Sequence, residues 1–105
     1  MQRKPQLLLL IVLCTVTHSM AASEERIQRQ QQLDAACEAA RERQLMPLRK
    51  QYIEECIRQG MGNRMWCEWF YHDYGDTTGR RAALFYDLPA CIEAFEYRRS
   101  YRRAE

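Results

Sequence analysis

Four of the five cysteines in this chain of 105 residues restrict its fold more than any other feature of its sequence; the fifth, Cys14, lies in the apolar N-terminal segment. The four are Cys37, Cys56, Cys67 and Cys91, and all of them follow that segment. An even number of cysteines in a short exported chain is typical of a disulfide framework. A domain of this size buries only about 60% of its unfolded surface, and each bridge adds about 2–4 kcal/mol. The sequence therefore predicts two disulfides.

The N-terminal segment has the pattern of a secretory signal peptide. Arg3 and Lys4 precede an apolar run at residues 7–16, and the small residues Ser19 and Ala21 follow. Signal peptidase accepts small side chains at positions −3 and −1, which predicts cleavage after Ala21. The run is shorter than the roughly 20 apolar residues that cross a bilayer, so we predict no transmembrane span.

The predicted organisation is a signal peptide at residues 1–21 and one small helical, disulfide-bonded domain at residues 22–105. The mature domain would carry 14 basic and 14 acidic residues, which argues against a nucleic-acid partner. Among those basic residues only Lys50 is a lysine. This arginine bias is typical of GC-rich bacterial genes. We predict a secreted or periplasmic bacterial protein.

The composition of residues 24–59 predicts a helix, with Ser23 as its N-cap. An apolar stripe at helical spacing keeps its phase across Pro47. Its members are Leu33, Cys37, Ala40, Leu48, Tyr52 and Cys56. The continuous phase favours one long helix with a kink at Pro47. The alternative is a tight turn, with Pro47 as the first residue of a second helix.

The remaining sequence predicts two further helices and one brief helical turn. Gly60 and Asn63 indicate a helix end and a new N-cap, and residues 65–75 form an aromatic helix that longer helices cover. Residues 80–86 would form the brief turn, and a last helix opens near Pro89. There is no strand pattern. The predicted fold is all-α, a small disulfide-stapled bundle of three to four helices.

Four cysteines allow three pairings, and the spacing does not decide among them. Cys56 and Cys67 lie about equally far from the predicted turn, as facing residues of a helical hairpin would. In one continuous helix Cys37 and Cys56 would lie roughly 28 Å apart, far beyond the about 7 Å that a disulfide spans. We favour Cys56–Cys67 with Cys37–Cys91. If Pro47 makes a turn, Cys37–Cys56 with Cys67–Cys91 is equally good.

The aromatic helix is one candidate partner-binding surface. Its candidate residues are Trp66, Trp69, Tyr71 and Tyr74. Tryptophan and tyrosine dominate the energetic centres of protein interfaces. The alternative interpretation is that these rings form the small core.

The C-terminal arginines are a second candidate surface. Arg98, Arg99, Arg102 and Arg103 alternate with tyrosines and would contact anionic envelope lipid or glycan. Alternatively they are a solvated helix end whose arginine stems cover the core.

His72 and Asp73 follow Cys67 in a helical segment, with Gly60 and Gly62 upstream. This short stretch resembles the His-Asp of the secreted phospholipases A2. The resemblance implies that His72 would be the base that activates water and that Asp73 would help to hold calcium. In that family the cysteine lies closer to the histidine, and the calcium loop is richer in glycine. The alternative for His72 is a surface or hydrogen-bonded structural role.

The chain contains no Cys-x-x-Cys, Gly-x-Ser-x-Gly or P-loop motif. Its carboxylates lack the spacing of an EF-hand, and we predict neither a metal nor a cofactor. The predicted function is non-enzymatic: binding or structural interaction, with another envelope protein as partner of the aromatic helix. The alternatives are a small secreted hydrolase that uses His72, and a binder of anionic envelope lipid or glycan.

Overall fold

A computed structural model describes residues 4–77 and 81–103, with side chains from residue 20 onward. Within these ranges the chain forms three helices: α1 (Lys4–Arg58), α2 (Arg64–Tyr71) and α3 (Pro89–Arg102). No strand occurs in the described ranges. The all-α prediction is confirmed. The chain divides into two compact units, Met1–Gln32 and Leu33–Glu105.

The first unit is the N-terminal part of α1, in which Met20 and Ile27 are exposed. The helix begins at Lys4, so Ser23 lies inside it and the prediction of an N-cap there is wrong. The predicted signal peptide, residues 1–21, starts outside the described residues, and its cleavage stays a prediction. No helix in the described part of the chain is long and apolar enough to cross a membrane.

Pro47 lies inside α1, which shows that the one-helix prediction is right and the two-helix alternative wrong. The unbroken phase of the apolar stripe explains this outcome. A single helix keeps every member of the stripe on the side that faces the other elements. Leu33, Cys37 and Cys56 on this stripe are all buried.

Two disulfides join the three helices in the second unit. Cys37–Cys91 links α1 to α3 with a Cα–Cα distance of 4.4 Å, and Cys56–Cys67 links α1 to α2 with 5.9 Å. The favoured pairing is confirmed. The alternative pairing is wrong, because a continuous α1 holds Cys37 and Cys56 too far apart to form a disulfide.

The turn between α1 and α2 follows the predicted stop and restart. Gly60 has a positive φ of 69°, a conformation that glycine adopts without a steric penalty. The Trp66 backbone N–H donates a 2.9 Å hydrogen bond to the side-chain oxygen of Asn63. This bond satisfies one of the N–H groups that the first turn of a helix leaves unpaired.

The core of the second unit is small and rich in sulfur. Leu33, Cys37, Cys91 and Ala94 form one buried cluster, against which Leu88 and Tyr97 pack. Among the described residues, four of the seven buried hydrophobic residues are half-cystines. The large rings of α2 are absent from this set. The expectation that longer helices cover the aromatic helix is therefore wrong.

The predicted helical turn at residues 80–86 is also wrong for residues 81–86, which are not helical; Arg80 lies outside the described residues. The backbone of this segment bonds to other elements instead of to itself. The Leu84 N–H donates to the Gly75 carbonyl oxygen at 3.0 Å, and the Leu84 carbonyl accepts from Arg41 on α1 at 2.9 Å. These contacts satisfy backbone groups that a helical turn would otherwise pair internally.

Candidate binding surface on the aromatic helix

The helix α2 is attached on one side and exposes apolar side chains on the others. Cys67 is fully buried in its disulfide, whereas Met65 is 76% and Trp69 64% exposed. Trp66 and Phe70, one position further along the helix, are 39% and 37% exposed. We call these four residues, Met65, Trp66, Trp69 and Phe70, the α2 apolar face. Helical spacing makes them neighbours, since they form two i,i+4 pairs.

The rings of the α2 apolar face are stacked on one another and on the preceding turn. Trp66 lies parallel to Phe70 with ring centroids 5.0 Å apart, and Trp69 is 6.5 Å from Trp66. A Cβ atom added to Gly62 would lie 2.6 Å from the Trp66 ring, so the ring rests directly on this glycine. Contacts within the chain therefore define the positions of these rings.

Tyr71 and Tyr74 lie on the inner side of this segment. Both are partly buried against Tyr52 of α1, with centroid distances of 5.6 Å and 4.9 Å respectively. A side-chain hydrogen bond with Tyr52, together with burial, raises the pKa of the Tyr74 hydroxyl above its usual range. The structure thus separates the four aromatic candidates. Trp66 and Trp69 face outward, whereas the two tyrosines pack against Tyr52 of α1.

Arg81 supports the same face from the segment before α3. Its guanidinium lies 4.8 Å from the centre of the Phe70 ring and donates to the Phe70 carbonyl oxygen at 2.7 Å. A second bond, of 3.0 Å, goes to the carboxylate of Asp73. Sequence reasoning missed Arg81, because only the folded chain brings it beside a ring 11 positions away.

Charges beside the α2 apolar face are paired. Arg64, the first residue of α2, bonds to the Glu54 carboxylate at 3.0 Å and lies 3.8 Å from Glu68. The hydrogen bond from Arg64 lowers the pKa of Glu54. The surroundings of the apolar face are therefore close to neutral at physiological pH.

Two arginines of α1 hold the loop that follows α2. Arg41 donates to the Gly75 carbonyl oxygen at 2.6 Å, and Arg49 donates to the Tyr74 carbonyl at 3.0 Å and to Asp76 at 3.1 Å. Arg41 is almost completely buried, at 1% exposure. This loop is thus tied to α1 by charge-assisted hydrogen bonds, which are stronger than bonds between neutral groups.

His72 lies outside any such network. Its side chain is exposed, and its Nδ1 atom is 2.5 Å from the Trp69 carbonyl oxygen and 4.0 Å from the Asp73 carboxylate. Asp73 bonds to Arg81 instead. A hydrolytic base needs an orienting group on its second ring nitrogen and a cleft for substrate. The Trp69 carbonyl is such a partner for the ring, but the side chain is exposed, and the hydrolase hypothesis stays a prediction.

The structure divides the four C-terminal arginines into two groups. Arg98 faces α1 and bonds to the Asp34 carboxylate at 2.8 Å. Arg99, Arg102 and Arg103 are exposed. A cleft of about 400 Å³ lies beside the Arg98–Asp34 pair and the Cys37–Cys91 disulfide. Within the described part of the chain, no three His, Cys, Asp or Glu side chains gather in a way that could hold a metal ion.

Comparison with protein-family models, curated proteins and solved structures finds no match for this chain.

Proposed function

We propose that this protein is an exported, non-enzymatic binding module that contacts another envelope protein through the α2 apolar face. One observation carries the proposal. Large apolar side chains are exposed on a helix that a disulfide holds in place. Disulfides persist in oxidising compartments, which supports a secreted or periplasmic location.

The size of the exposed face favours a protein partner. From the fractional exposures, the four residues expose roughly 500 Å² of surface, the size of the largest apolar patch on a typical monomer, which is often functional. A standard interface needs about 800 Å² on each side, so neighbouring loops would have to join the contact. Tryptophan is the residue most enriched at interface positions that dominate affinity.

The shape of the face favours a groove as the complementary surface. Met65 and Trp69 project from a short helix, and amphipathic helices commonly bind by placing such side chains in an apolar groove. The stacked rings lose little conformational freedom on binding, which lowers the entropic cost of association. The neutral surroundings, with Arg64 bonded to Glu54, do not favour a strongly charged partner.

Site-specific cross-linking tests this proposal. A photoreactive phenylalanine analogue replaces Trp69 in the exported protein, and in a matched sample it replaces Arg43, an exposed residue of α1. We expect a discrete protein adduct from position 69 and none from position 43. The adduct should fall about tenfold when Met65→Ser is added, because removal of a central apolar contact costs about 1–2 kcal/mol.

Equal adducts from positions 69 and 43 would contradict the proposal, and so would no adduct from position 69. An adduct unchanged by Met65→Ser would show that the contact does not use the α2 apolar face. The thermal unfolding of each variant is measured alongside. Since Met65 is exposed, its substitution should leave the melting temperature nearly unchanged.

A further inference from the structure

Helix α3 carries a second exposed face, in which two apolar side chains are followed by three cationic ones. Ile92 is 45% and Phe95 55% exposed, and Arg99, Arg102 and Arg103 are exposed as well. The intervals of three and four residues between Ile92, Phe95, Arg99 and Arg102 place them along one side of a helix. We call these five residues the α3 outer face.

The other two sides of α3 differ in character. Cys91 and Ala94 are buried towards α1, and the Cys37–Cys91 disulfide fixes this orientation. Helical spacing places Glu93 and Ser100 on the remaining side, with Glu96 bordering the outer face. The outer face is therefore apolar and cationic, and α1 does not cover it.

The cations of this face are available for an external partner. Among the described residues, no carboxylate lies within ion-pair distance of Arg99, Arg102 or Arg103. The Arg99 guanidinium lies over the Phe95 ring, 5.6 Å from its centre. Arg98 is not part of the face, because it bonds to Asp34. The structure thus leaves three cations beside two exposed apolar side chains.

We infer that the α3 outer face docks the protein on the surface of an anionic phospholipid bilayer. Interfacial helices place apolar side chains at the boundary between headgroups and acyl chains, while arginines on the same helix bond to phosphate. Ile92 and Phe95 supply the apolar contact, and Arg99, Arg102 and Arg103 supply the phosphate contacts. A soluble glycan or nucleic acid offers no apolar layer in which the aliphatic side chain of Ile92 could be buried. The α2 apolar face lacks such cations, because Arg64 is paired.

Vesicle co-sedimentation of the disulfide-bonded full chain tests this inference, which does not depend on the function proposed for α2. Binding is measured on phosphatidylcholine vesicles and on mixed phosphatidylglycerol–phosphatidylcholine vesicles. We expect at least a tenfold preference for the anionic vesicles, since each arginine near such a surface contributes about 1 kcal/mol. The preference should weaken as salt is raised.

Two triple variants locate the contact. Arg99→Gln with Arg102→Gln and Arg103→Gln should lose most of the preference for anionic vesicles. The control removes the same charge from three exposed positions of α1, by Arg43→Gln with Lys50→Gln and Arg58→Gln. This control should keep the preference for anionic vesicles. All variants have the same N-terminal segment, so they differ from one another only at the substituted positions.

Three outcomes would overturn the inference. The first is a wild-type chain without preference for anionic vesicles. The second is a preference that survives the α3 triple variant or falls equally in the control. The third is an unchanged affinity for anionic vesicles in Phe95→Ser. We expect this variant to lose affinity several-fold, whereas contact through charge alone would fit a soluble polyanion. Unchanged helix content and melting temperature exclude misfolding as a cause.

Discussion

Arg41 shows how a single residue organises the segment around the binding surface. Its guanidinium bonds to the carbonyl oxygens of Gly75 and Leu84 and to the Glu38 carboxylate, at 2.6, 2.9 and 2.6 Å. It also lies 3.9 Å from the centre of the Tyr86 ring. One α1 side chain therefore holds both the loop after α2 and the segment before α3.

We predict that Arg41→Met lowers the free energy of unfolding by about 3 kcal/mol, because it removes charge-assisted hydrogen bonds to two carbonyl oxygens. The Leu84 carbonyl loses its donor, and the Gly75 carbonyl keeps only the bond from the Leu84 N–H. Arg41→Lys should rescue only part of this loss, since an ammonium group cannot reproduce the planar fork of guanidinium. Urea unfolding measures both values. The matched control is Arg43→Met, two residues away and exposed, which should change stability by less than about 0.5 kcal/mol. Equal effects at positions 41 and 43 would contradict this role.

At the scale of the elements, α2 depends on its disulfide. It has eight residues, and isolated helices shorter than about 12 residues are marginal in water. Met65 and Trp69 contribute little burial, because both side chains face outward. The covalent bond from Cys67 to Cys56 is therefore the main reason that the α2 apolar face has a fixed position.

We predict that Cys56→Ser with Cys67→Ser exposes the amides of α2 to rapid hydrogen exchange while α3 stays protected. This bridge closes a loop of 11 residues, and its loss should cost about 3 kcal/mol. Cys37→Ser with Cys91→Ser opens a loop of 54 residues and should cost about 4 kcal/mol, with exchange rising in α3. Hydrogen exchange measured by mass spectrometry distinguishes the two double variants. Slow exchange in α2 without its disulfide would refute the prediction.

The same elements show what the sequence could predict. The pairing of Cys56 with Cys67 follows from local geometry, since both lie near one turn whose Gly60 and Asn63 are themselves recognisable. The helix through Pro47 follows from periodicity. These features depend on residues close in sequence, or on a repeat that extends across the helix.

The features that could not be predicted depend on distant contacts. Arg41 bonds to residues 34 and 43 positions away, and no local pattern marks it as buried. The sequence predicts that longer helices cover the rings of α2, but aromatic content does not reveal which face of a helix a neighbouring element covers. The charged tail likewise gave no sign that Arg98 would bond to Asp34 while its neighbours stay exposed.

At the scale of the whole molecule, the second unit depends on its disulfides for its core as well as for its connections. Cys37 and Cys91 are half of its main buried cluster, beside Leu33 and Ala94. A cluster with so few aliphatic groups supplies little hydrophobic stabilisation at about 25 cal/mol per Å². Reduction would separate these sulfur atoms and release the chain entropy that both bridges restrain.

We predict that reduction abolishes the cooperative unfolding transition of the second unit, whereas part of α1 stays helical because its composition favours a helix. Thermal melts followed by near-ultraviolet circular dichroism, with and without a phosphine reductant, measure the loss of fixed tyrosine and tryptophan packing. Far-ultraviolet spectra of the same samples report the remaining helix. A variant with all four cysteines replaced by serine should match the reduced protein, which separates loss of the bond from effects of the reductant. A cooperative melt in that variant would mean that packing and buried arginines hold the fold without covalent help. The absence of a cooperative melt would mean that the two proposed binding faces exist only where the bridges can form, and this would restrict the proposed binding to an oxidising compartment.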